Sequence, residues 1–173
     1  MQDILERAKQ IKLIIFDVDG VLTDGSLYFS DDGQEMKAFN SRDGHGMKML
    51  RESGVEVAII TGRTSNVVTH RMENLGIKHV YQGQHEKLPA FLALIDKLAV
   101  TADEVAYVGD DVVDLPIMRR VGLAVAVQDA HGWVKRHAHW QTPSDGGRGA
   151  ARDICELIME AQGCLESTLN QYL

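Results

Sequence analysis

The stretch Leu13-Ile-Ile-Phe-Asp-Val-Asp-Gly20 places two carboxylates directly after four apolar residues. A short, β-prone apolar run of this kind predicts a buried strand over residues 13–16. Gly20 can take backbone angles that other residues avoid, so the chain can turn sharply just after the strand. We therefore expect Asp17 and Asp19 at the carboxyl end of a buried strand.

Short apolar runs alternate with amphipathic stretches along the rest of the chain. The predicted strands are residues 13–16, 57–60, 79–81, 105–108 and 123–127. The predicted helices are residues 44–52, 65–75, 86–98, 113–120 and 150–161, and the predicted left-handed helix ends are Gly54, Gly76 and Gly122. This alternation indicates βαβ units, so we expect an α/β fold with a Rossmann-like open parallel sheet flanked by helices.

A second pattern interrupts the first connection between a strand and a helix. Residues 26–30 and 35–39 alternate in character on either side of Asp31-Asp32-Gly33. A turn of this composition between two alternating runs is typical of a β-hairpin. We therefore expect a protruding hairpin over residues 26–39.

Size and composition limit the classes of function. The chain has 173 residues, 45% of them hydrophobic, so we expect a single domain over residues 1–173. Its net charge of -7 disfavours binding to nucleic acid or to an anionic membrane surface. No apolar stretch approaches the ~20 residues of a membrane span and no secretory leader is recognisable, so we expect a cytoplasmic protein with Cys155 and Cys164 reduced. The tail, residues 163–173, could be mobile or could fold over an active site.

Polar side chains lie just beyond the predicted strands. Ligands of open α/β sheets bind at the carboxyl ends of the strands, so these side chains are candidate site residues. They are Asp17 and Asp19 after the first strand, Thr61, Gly62 and Arg63 after the second, Lys87 at the start of a helix, and Asp110 and Asp111 after the fourth strand. Four segments that are far apart in the sequence would meet at one edge of the sheet.

These residue types fit the hydrolysis of a phosphate ester. Asp17 could attack phosphorus in line, while Asp19 protonates the leaving oxygen and then deprotonates the water that cleaves the intermediate. Carboxylates repel a phosphate, so a hard cation is needed, and oxygen ligands suit Mg²⁺, with Asp110 as a further ligand. Thr61 could donate a hydrogen bond to a phosphoryl oxygen, and Lys87 could offset the charge of the transition state.

Each member of this set has an ordinary structural explanation when it stands alone. Aspartates at strand ends often form turns, and Asp110 and Asp111 could cap the following helix. Thr61 could belong to a simple turn, and Lys87 could be a solvated helix residue. Their joint occurrence, in this order and each at a strand or helix boundary, favours catalysis.

The set resembles the four motifs of the haloacid dehalogenase superfamily. The matching residues are Asp17-x-Asp19-Gly20-Val21, Thr61, Lys87 and Gly109-Asp110-Asp111. The resemblance implies that Asp17 is a nucleophile that forms an aspartyl-phosphate, and that Asp19 is the acid and base with its backbone carbonyl on Mg²⁺. It implies the side chains of Asp17 and Asp110 as the other metal ligands, with Asp111 and Asp114 in support. Asp19 also favours phosphoryl transfer over dehalogenation, which has no leaving oxygen to protonate.

The chain from Ile11 to about Gln162 is similar to a narrower family, the capless 3-deoxy-D-manno-octulosonate 8-phosphate phosphatases. The stretches that carry this similarity are Phe16-Asp-Val-Asp-Gly-Val-Leu-Thr-Asp24, Lys37-Ala-Phe-Asn-Ser-Arg-Asp-Gly44, Ala58-Ile-Ile-Thr-Gly-Arg63, Tyr81-Gln-Gly-Gln84, Val108-Gly-Asp-Asp111 and Gly146-Gly-Arg-Gly-Ala150. The resemblance implies an enzyme of lipopolysaccharide precursor synthesis that forms homotetramers through the hairpin. It also implies substrate contacts, some from a neighbouring subunit, by Asp19, Asn40, Ser41, Arg42, Asp43, Gly44, Lys48, Arg63, Arg71 and Lys87.

Arginines near the predicted edge fit a substrate that carries both a carboxylate and a phosphate. Arginine forks bind carboxylates best, so Arg42 and Arg63 are the strongest candidates, and Arg148 in its glycine-rich segment could also reach the site. Lys48 stands where we expect arginine in this family, which puts a bidentate contact there in doubt. Any single arginine could instead form a surface ion pair.

The sequence has no room for a cap domain over the site. Only a hairpin and one helix fit between Asp19 and Thr61, and only two helices and a short strand between Thr61 and Asp110. Such sites need cover from water, so we expect another subunit to form the lid. The apolar hairpin side chains that would otherwise be exposed are Leu27, Phe29, Met36 and Phe39. The hairpin is therefore the expected docking element, unless it folds flat on its own domain.

Other functions compete with this hypothesis. A non-catalytic oligomerisation module of the same fold is disfavoured by the intact catalytic set, and a phosphomutase is disfavoured by the missing cap. A sugar-acid 9-phosphate phosphatase would use the same motifs, and nothing in them separates the two substrates.

A cluster of histidines in the sequence fits a surface helix and the residues that follow it better than a zinc site. Its members are His131, His137 and His139.

Overall fold

The computed structural model describes residues 1–173. It contains eight strands. In chain order they are β1 (Leu13–Phe16), β2 (Tyr28–Phe29), β3 (Glu35–Met36), β4 (Glu56–Ile60), β5 (His79–Tyr81), β6 (Val105–Gly109), β7 (Leu123–Ala126) and β8 (Trp140–Gln141). Six of them form one parallel sheet in the order β5-β4-β1-β6-β7-β8, and β2 and β3 form a separate hairpin. The predicted α/β fold with an open parallel sheet and a hairpin is confirmed.

Strand β1 lies inside the sheet because its four residues are all apolar and can be buried on both faces. It pairs with β4 on one side and β6 on the other, so that Phe16 lies opposite both Ile59 and Val108. The chain first runs outward through β4 and β5 and then crosses to β6, so the strand order reverses beside β1. Ligands bind beyond the carboxyl ends of the strands at such a reversal. Asp17, which follows Phe16, lies at that edge.

Helices connect and flank the strands. In chain order they are α1 (Gln2–Lys9), α2 (Ser41–Glu52), α3 (Asn66–Leu75), α4 (Lys87–Leu98), α5 (Leu115–Met118), α6 (Gly132–His137), α7 (Ala150–Ala161) and α8 (Leu165–Leu169). Helix α7 packs against α1 and α2, and α5 packs against α4 and α6. Sheet and helices share one cluster of 45 buried hydrophobic residues. None of the helices combines the length and hydrophobicity that crossing a bilayer requires.

Several elements differ from the sequence-based expectation; helix α2, for example, begins at Ser41, three residues before its predicted start. Helix α1 buries only Ile4 and Ala8, and β8 has two residues, so neither produces a clear periodic pattern. The helix predicted over residues 113–120 is a 3₁₀ turn, Val112–Asp114, followed by the short helix α5. The carboxylate of Asp111 caps that turn by accepting a 2.7 Å hydrogen bond from the first N–H of the turn.

The glycines that follow three helices do not all have the predicted role. Gly54 and Gly76 have the expected positive φ angles, 104° and 66°. Gly122 does not, so its assignment as a left-handed helix end was wrong. A Cβ atom on Gly122 would collide with the backbone of Asp103. Gly122 therefore allows two chain segments to approach closely.

The hairpin is shorter than the sequence predicts, with two residues in each strand. Tyr28 lies opposite Met36, and Phe29 lies opposite Glu35. Phe29 and Met36 are 57% and 59% exposed, so a single chain leaves part of the hairpin's apolar surface in contact with solvent. Phe39 differs from expectation, because it packs against the core.

The tail beyond α7 is folded. It forms α8 and a 3₁₀ turn, Asn170–Tyr172. The ring of Tyr172 meets the ring of His45 edge-on, with 5.3 Å between the centroids. The end of the tail therefore lies against α2 of the same chain.

Candidate active site

The loop that follows β1 holds the two aspartates in fixed directions. Asp17 is only 6% exposed, and its Oδ1 accepts a 2.6 Å hydrogen bond from the backbone N–H of Val18. Gly20 turns the chain with a φ of 83°, in the region that favours glycine. The hydroxyl of Thr23 accepts a hydrogen bond from the N–H of Gly20 at 3.3 Å. The loop is thus closed by its own hydrogen bonds.

A glycine-rich loop packs behind this turn. A Cβ atom on Gly146 would collide with the carbonyl of Gly20, and one on Gly147 would collide with the backbone of Thr23. The N–H of Gly147 donates a 2.8 Å hydrogen bond to the carbonyl of Val21. Only residues without side chains can come this close, so the two glycines fix the loop that carries Asp19.

Lys87 begins α4 and is buried at the same edge of the sheet. Its ammonium lies 2.5 Å from Oδ2 of Asp17 and 2.7 Å from Oδ1 of Asp114. Burial by itself lowers the pKa of Lys87, but the charges of Asp114 and Asp17 together outweigh burial and hold the pKa above its usual value. Lys87 therefore stays charged and is fixed beside Asp17.

Asp114 is fully buried at the centre of a hydrogen-bond network. Its Oδ1 accepts from the ammonium of Lys87 at 2.7 Å and from the hydroxyl of Tyr107 at 2.6 Å. Its Oδ2 accepts from the backbone N–H groups of Asp110 and Asp111 at 3.0 and 3.3 Å. Burial raises the pKa of Tyr107 well above its usual value, so its hydroxyl remains a donor. In the sequence Tyr107 is indistinguishable from an ordinary core aromatic on a strand.

Three carboxylates converge at this point. Oxygens of Asp17, Asp110 and Asp114 all lie within 4.8 Å of one another. Burial, followed by the charge of Asp114, raises the pKa of Asp17 to about 6 and that of Asp110 to about 8. Besides burial, the raised pKa values reflect negative charge that Lys87 does not cancel, and such a site fits a hard cation with oxygen ligands. Asp114 already accepts four hydrogen bonds, so Asp17 and Asp110 are better placed to hold an ion.

The carboxylate of Asp19 points toward the hairpin, outside this cluster. Its Oδ1 pairs with the ammonium of Lys37, and its Oδ2 lies 3.9 Å from Nε of Arg63. Glu35 links the two cations, because its Oε1 lies 2.7 Å from Nη2 of Arg63 and 3.3 Å from Nζ of Lys37. Burial raises the pKa of Glu35, but the hydrogen bond from Arg63 and the charge of Lys37 hold it below its usual value. Glu35 and Lys37 were not among the predicted site residues, although their spacing of two residues predicts a shared face of one strand.

Thr61 brings the end of β4 to the same place. Its backbone N–H donates to the carbonyl of Tyr81 at 2.9 Å, and its carbonyl accepts from the N–H of Gln84 at 3.0 Å, which fixes a largely buried residue. A cleft of about 300 Å³ lies at this edge. Its lining residues are Asp17, Asp19, Gly25, Thr61, Gly62, Arg63, Gln84, His85, Lys87, Asp110, Asp111 and Val113. The structure therefore brings every predicted catalytic and metal-binding residue to one cleft.

The predicted substrate-binding residues do not all face this cleft. Arg63 lines it, together with the catalytic set. Asn40, Ser41 and Arg42 line a second pocket of about 300 Å³, in which Arg148 also lies. Within one chain the two groups are separate.

Four further predicted contacts are engaged in their own chain. Asp43 is buried and accepts hydrogen bonds of 3.3 and 2.9 Å from two backbone N–H groups around the start of α7. Lys48 is exposed and lies 3.8 Å from Glu52. Arg71 packs so closely on Gly44 that a Cβ atom there would collide with the guanidinium. The role of these four residues in substrate binding stays a prediction.

Known proteins are similar to this sequence over nearly its full length. Residues 43–122 match the family model of haloacid dehalogenase-like hydrolases. The 3-deoxy-D-manno-octulosonate 8-phosphate phosphatase of Escherichia coli is 50% identical over 169 residues, which are 98% of this chain and 90% of that protein. The chain belongs to this phosphatase family.

Solved structures of the phosphatase family have the same fold. The enzyme from Yersinia pestis is 49% identical and superposes with a TM-score of 0.94, covering 95% of this chain and 89% of that one. The enzyme from Moraxella catarrhalis is 40% identical with a TM-score of 0.98, covering 100% of this chain and 99% of that one. The Moraxella structure is a complex with a magnesium ion, a phosphate ion and a KDO molecule.

Proposed function

We propose that the protein is a Mg²⁺-dependent phosphatase that hydrolyses 3-deoxy-D-manno-octulosonate 8-phosphate to the free sugar acid and phosphate. The observation that supports it most directly is the meeting of Asp17, Lys87 and Asp110 in one cleft, with Asp19 at its other side. Relatives at 50% identity carry the name of this activity, and the Moraxella relative binds magnesium, phosphate and KDO.

In the first step a carboxylate oxygen of Asp17 attacks phosphorus. A bond forms between this oxygen and phosphorus as the bond between phosphorus and the sugar oxygen breaks, which gives an aspartyl-phosphate. Asp19 donates a proton to the leaving sugar oxygen. Lys87, 2.5 Å from Asp17, offsets the charge on the transferred phosphoryl group, and Thr61 donates a hydrogen bond to it.

In the second step water cleaves the intermediate. Asp19, now a carboxylate, takes a proton from the water as the water oxygen attacks phosphorus, and phosphate leaves with Asp17 restored. The carboxylates of Asp17 and Asp110 and the carbonyl of Asp19 would hold Mg²⁺. The ion supplies positive charge that offsets the repulsion between these carboxylates and the phosphate.

The same proposal includes a homotetramer assembled through the hairpin. Exposed apolar side chains such as Phe29 and Met36 are typical of an interaction surface. Asn40, Ser41 and Arg42 lie outside the catalytic cleft of their own chain. A neighbouring subunit could therefore supply them to the cleft. A place in lipopolysaccharide precursor synthesis, in the cytoplasm, follows from the family resemblance.

Two alternatives are less well supported. A non-catalytic module of the same fold has no function for a buried lysine between two carboxylates, an arrangement whose desolvation is costly. A sugar-acid 9-phosphate phosphatase would use the same cleft, and the names of the relatives at 50% identity favour the 8-phosphate.

The test is phosphate release from a panel of sugar-acid phosphates, with Mg²⁺ and then with a chelator. We expect the highest kcat/KM for the 8-phosphate of the eight-carbon acid, and loss of activity with the chelator. Asp17→Asn keeps the size of the side chain and removes the nucleophile, so turnover should fall by roughly three or more orders of magnitude. Asp96→Asn, on the exposed side of α4, is the matched control. Activity that survives in Asp17→Asn would exclude the mechanism, and a preference for 9-phosphates would exclude the substrate.

A further inference from the structure

Lys37 has a buried side chain, although it lies in the exposed hairpin. Lys37 directly follows β3, in a hairpin whose Tyr28, Phe29 and Met36 are 48–59% exposed, yet its side chain is only 1% exposed. Neighbouring residues on a strand point to opposite faces, so Met36 is turned outward while Glu35 and Lys37 share the inward face. A lysine is rarely buried unless it is paired. The partner of Lys37 is therefore informative.

That partner is Asp19, at the edge of the catalytic cleft. The ammonium of Lys37 pairs with Oδ1 of Asp19, and the guanidinium of Arg63 faces Oδ2 at 3.9 Å. Glu35 binds both cations, at 3.3 Å from Lys37 and 2.7 Å from Arg63. Two anions and two cations thus form a closed, charge-balanced network. Because each oxygen of Asp19 faces a different cation, the carboxylate cannot rotate without losing a contact.

We propose that Lys37 is a positioning residue for the reaction, and that it holds the carboxylate of Asp19 in the orientation from which it exchanges protons with the leaving oxygen and with water. Glu35 supports this role by fixing the ammonium of Lys37. The proposal rests on the proposed function, in which Asp19 is the acid and base. It gives the hairpin a part in the chemistry of its own chain, in addition to any part in assembly.

The physical reason is that proton transfer depends strongly on orientation. General acid catalysis contributes about 10²–10⁴-fold, and only when donor and acceptor are within hydrogen-bond reach. A carboxylate in a short loop can rotate about its side-chain bonds unless neighbours hold it. Without Lys37, Asp19 would keep only the distant contact with Arg63. Part of the contribution from proton transfer would then be lost, while the attack by Asp17 would be unaffected.

The test compares leaving groups in Lys37→Met, which keeps the length of the side chain and removes its charge. We expect kcat/KM for the sugar phosphate, which reports the step in which the leaving group departs, to fall about 10-fold or more, since its alkoxide must be protonated. For p-nitrophenyl phosphate, whose leaving group needs no proton, kcat/KM should fall less than about 3-fold, although its kcat also includes hydrolysis of the aspartyl-phosphate, in which Asp19 acts as the base. Asp19→Asn should show the same pattern in a stronger form. Lys37→Arg should recover part of the lost kcat/KM for the sugar phosphate, because it restores a cation.

Controls separate positioning from structure and from binding. Lys12→Met makes the same chemical change at an exposed ion pair with Glu104, at the opposite end of β1. It should leave kcat/KM for both substrates unchanged. Equal losses of kcat/KM for the two substrates in Lys37→Met, or a rise in KM with kcat unchanged for the sugar phosphate, would overturn the proposal. If Lys37→Met does not fold by circular dichroism, Glu35→Gln decides, with a smaller loss in the same direction expected and equal losses again contradicting it. The proposed function is tested separately with the wild-type protein. It would be wrong if wild type released no phosphate from any sugar-acid phosphate.

Discussion

Asp114 shows how a residue outside the reaction can set the charge of those inside it. It accepts four hydrogen bonds and has no exposure, so its charge is fixed in place. It keeps Lys87 protonated and, together with burial, raises the pKa values of Asp17 and Asp110. In the absence of a cation the cluster therefore opposes folding, and binding of a cation relieves this.

Replacing Asp110 with asparagine should remove one of the charges that oppose folding. The pKa of Asp110 is raised from 3.8 to about 8, so the cost of ionising it is absent below about pH 4, grows as the pH rises and is complete above about pH 8. Asp110→Asn carries no charge, so its gain in stability over wild type should grow across the same range. Thermal melts in chelator should show a Tm higher by a few degrees at pH 8 and little difference at pH 4, since 1 kcal/mol corresponds to roughly 2–4 °C in a protein of this size.

The same variant should lose the stabilisation that Mg²⁺ gives to wild type. An ion that binds only the folded state raises its stability, by about 2.7 kcal/mol at one hundred times Kd. Asp96→Asn, remote from the cleft, should retain the Mg²⁺-dependent rise in Tm. A variant at position 110 that is stabilised by Mg²⁺ as strongly as wild type would contradict its role as a ligand.

Residues at strand ends were predictable, whereas residues recruited by packing were not. Asp17 and Thr61 directly follow predicted strands, and Asp110 lies two residues after one, so the topology of a parallel sheet brings them together. Lys37 and Tyr107 reach the site through contacts that no local pattern encodes, one from a hairpin and one from inside β6. The placement of Asn40 and its neighbours in a separate pocket could not be predicted either, because it depends on the position of α2.

At the scale of elements, the hairpin joins two roles on two faces. Its inward face carries Glu35 and Lys37, which reach the cleft. Its other face presents Tyr28 and Met36, which lie opposite each other and are exposed. With two residues in each strand, the hairpin is too short to be stable alone. Within one chain, the contacts of its inward face with Asp19 and Arg63 therefore hold it in position.

Charges on the outer face should prevent assembly without unfolding the chain. Tyr28→Glu combined with Met36→Glu places two like charges opposite each other on a surface that we expect to be buried between subunits. Light scattering should give a tetramer for wild type and a monomer for the double variant, with unchanged circular dichroism. Leu92→Glu, at an exposed leucine on α4, is the control and should remain tetrameric. A monomeric wild type would contradict the proposed assembly.

The glycine-rich loop should be intolerant of a single methyl group. In Gly146→Ala the new Cβ atom must displace the backbone of Gly20, and with it the turn that carries Asp19. We expect kcat to fall at least about 10-fold and stability to fall by about 1–3 kcal/mol, the usual cost of overpacking. Phosphate release and urea unfolding measure the two effects. Gly132→Ala meets no atom within 4 Å and should be neutral in both, so equal behaviour of the two variants would contradict the argument.

The prediction of elements succeeded where the pattern was long or fully apolar. All five predicted strands and the helix Ala150–Ala161 lie where the sequence places them, to within one residue at each end. Helix α1 and strand β8 were missed because burial of two side chains, or a length of two residues, is too little to produce a period. Helix α5 was predicted too long because the capped turn at Asp111 precedes it.

At the scale of the whole molecule, the residues of the site come from elements that share one hydrophobic core. Its parts come from β1, β4, α4 and β6, and these elements all contribute to the same cluster of 45 buried residues. Partial unfolding would therefore separate the catalytic residues. This arrangement is consistent with the prediction of a single domain.

A single cooperative transition is the expected consequence. The double variant at Tyr28 and Met36 allows the measurement without dissociation of subunits. Urea unfolding followed by tryptophan fluorescence, from Trp133 and Trp140, should coincide with unfolding followed by far-ultraviolet circular dichroism. Two separate midpoints would show that the chain contains independent units and would contradict the single-domain prediction.

The carboxylate cluster also determines which ions the protein can accept. Three carboxylates and one ammonium leave two negative charges when all are ionised, so a divalent ion neutralises the cluster and a monovalent ion does not. Charge balance therefore favours a divalent ion over a monovalent one. Calcium has the same charge as magnesium but requires six to eight oxygen ligands at longer distances, whereas magnesium retains several waters. Discrimination between these two ions must therefore come from the small number and close spacing of the protein oxygens.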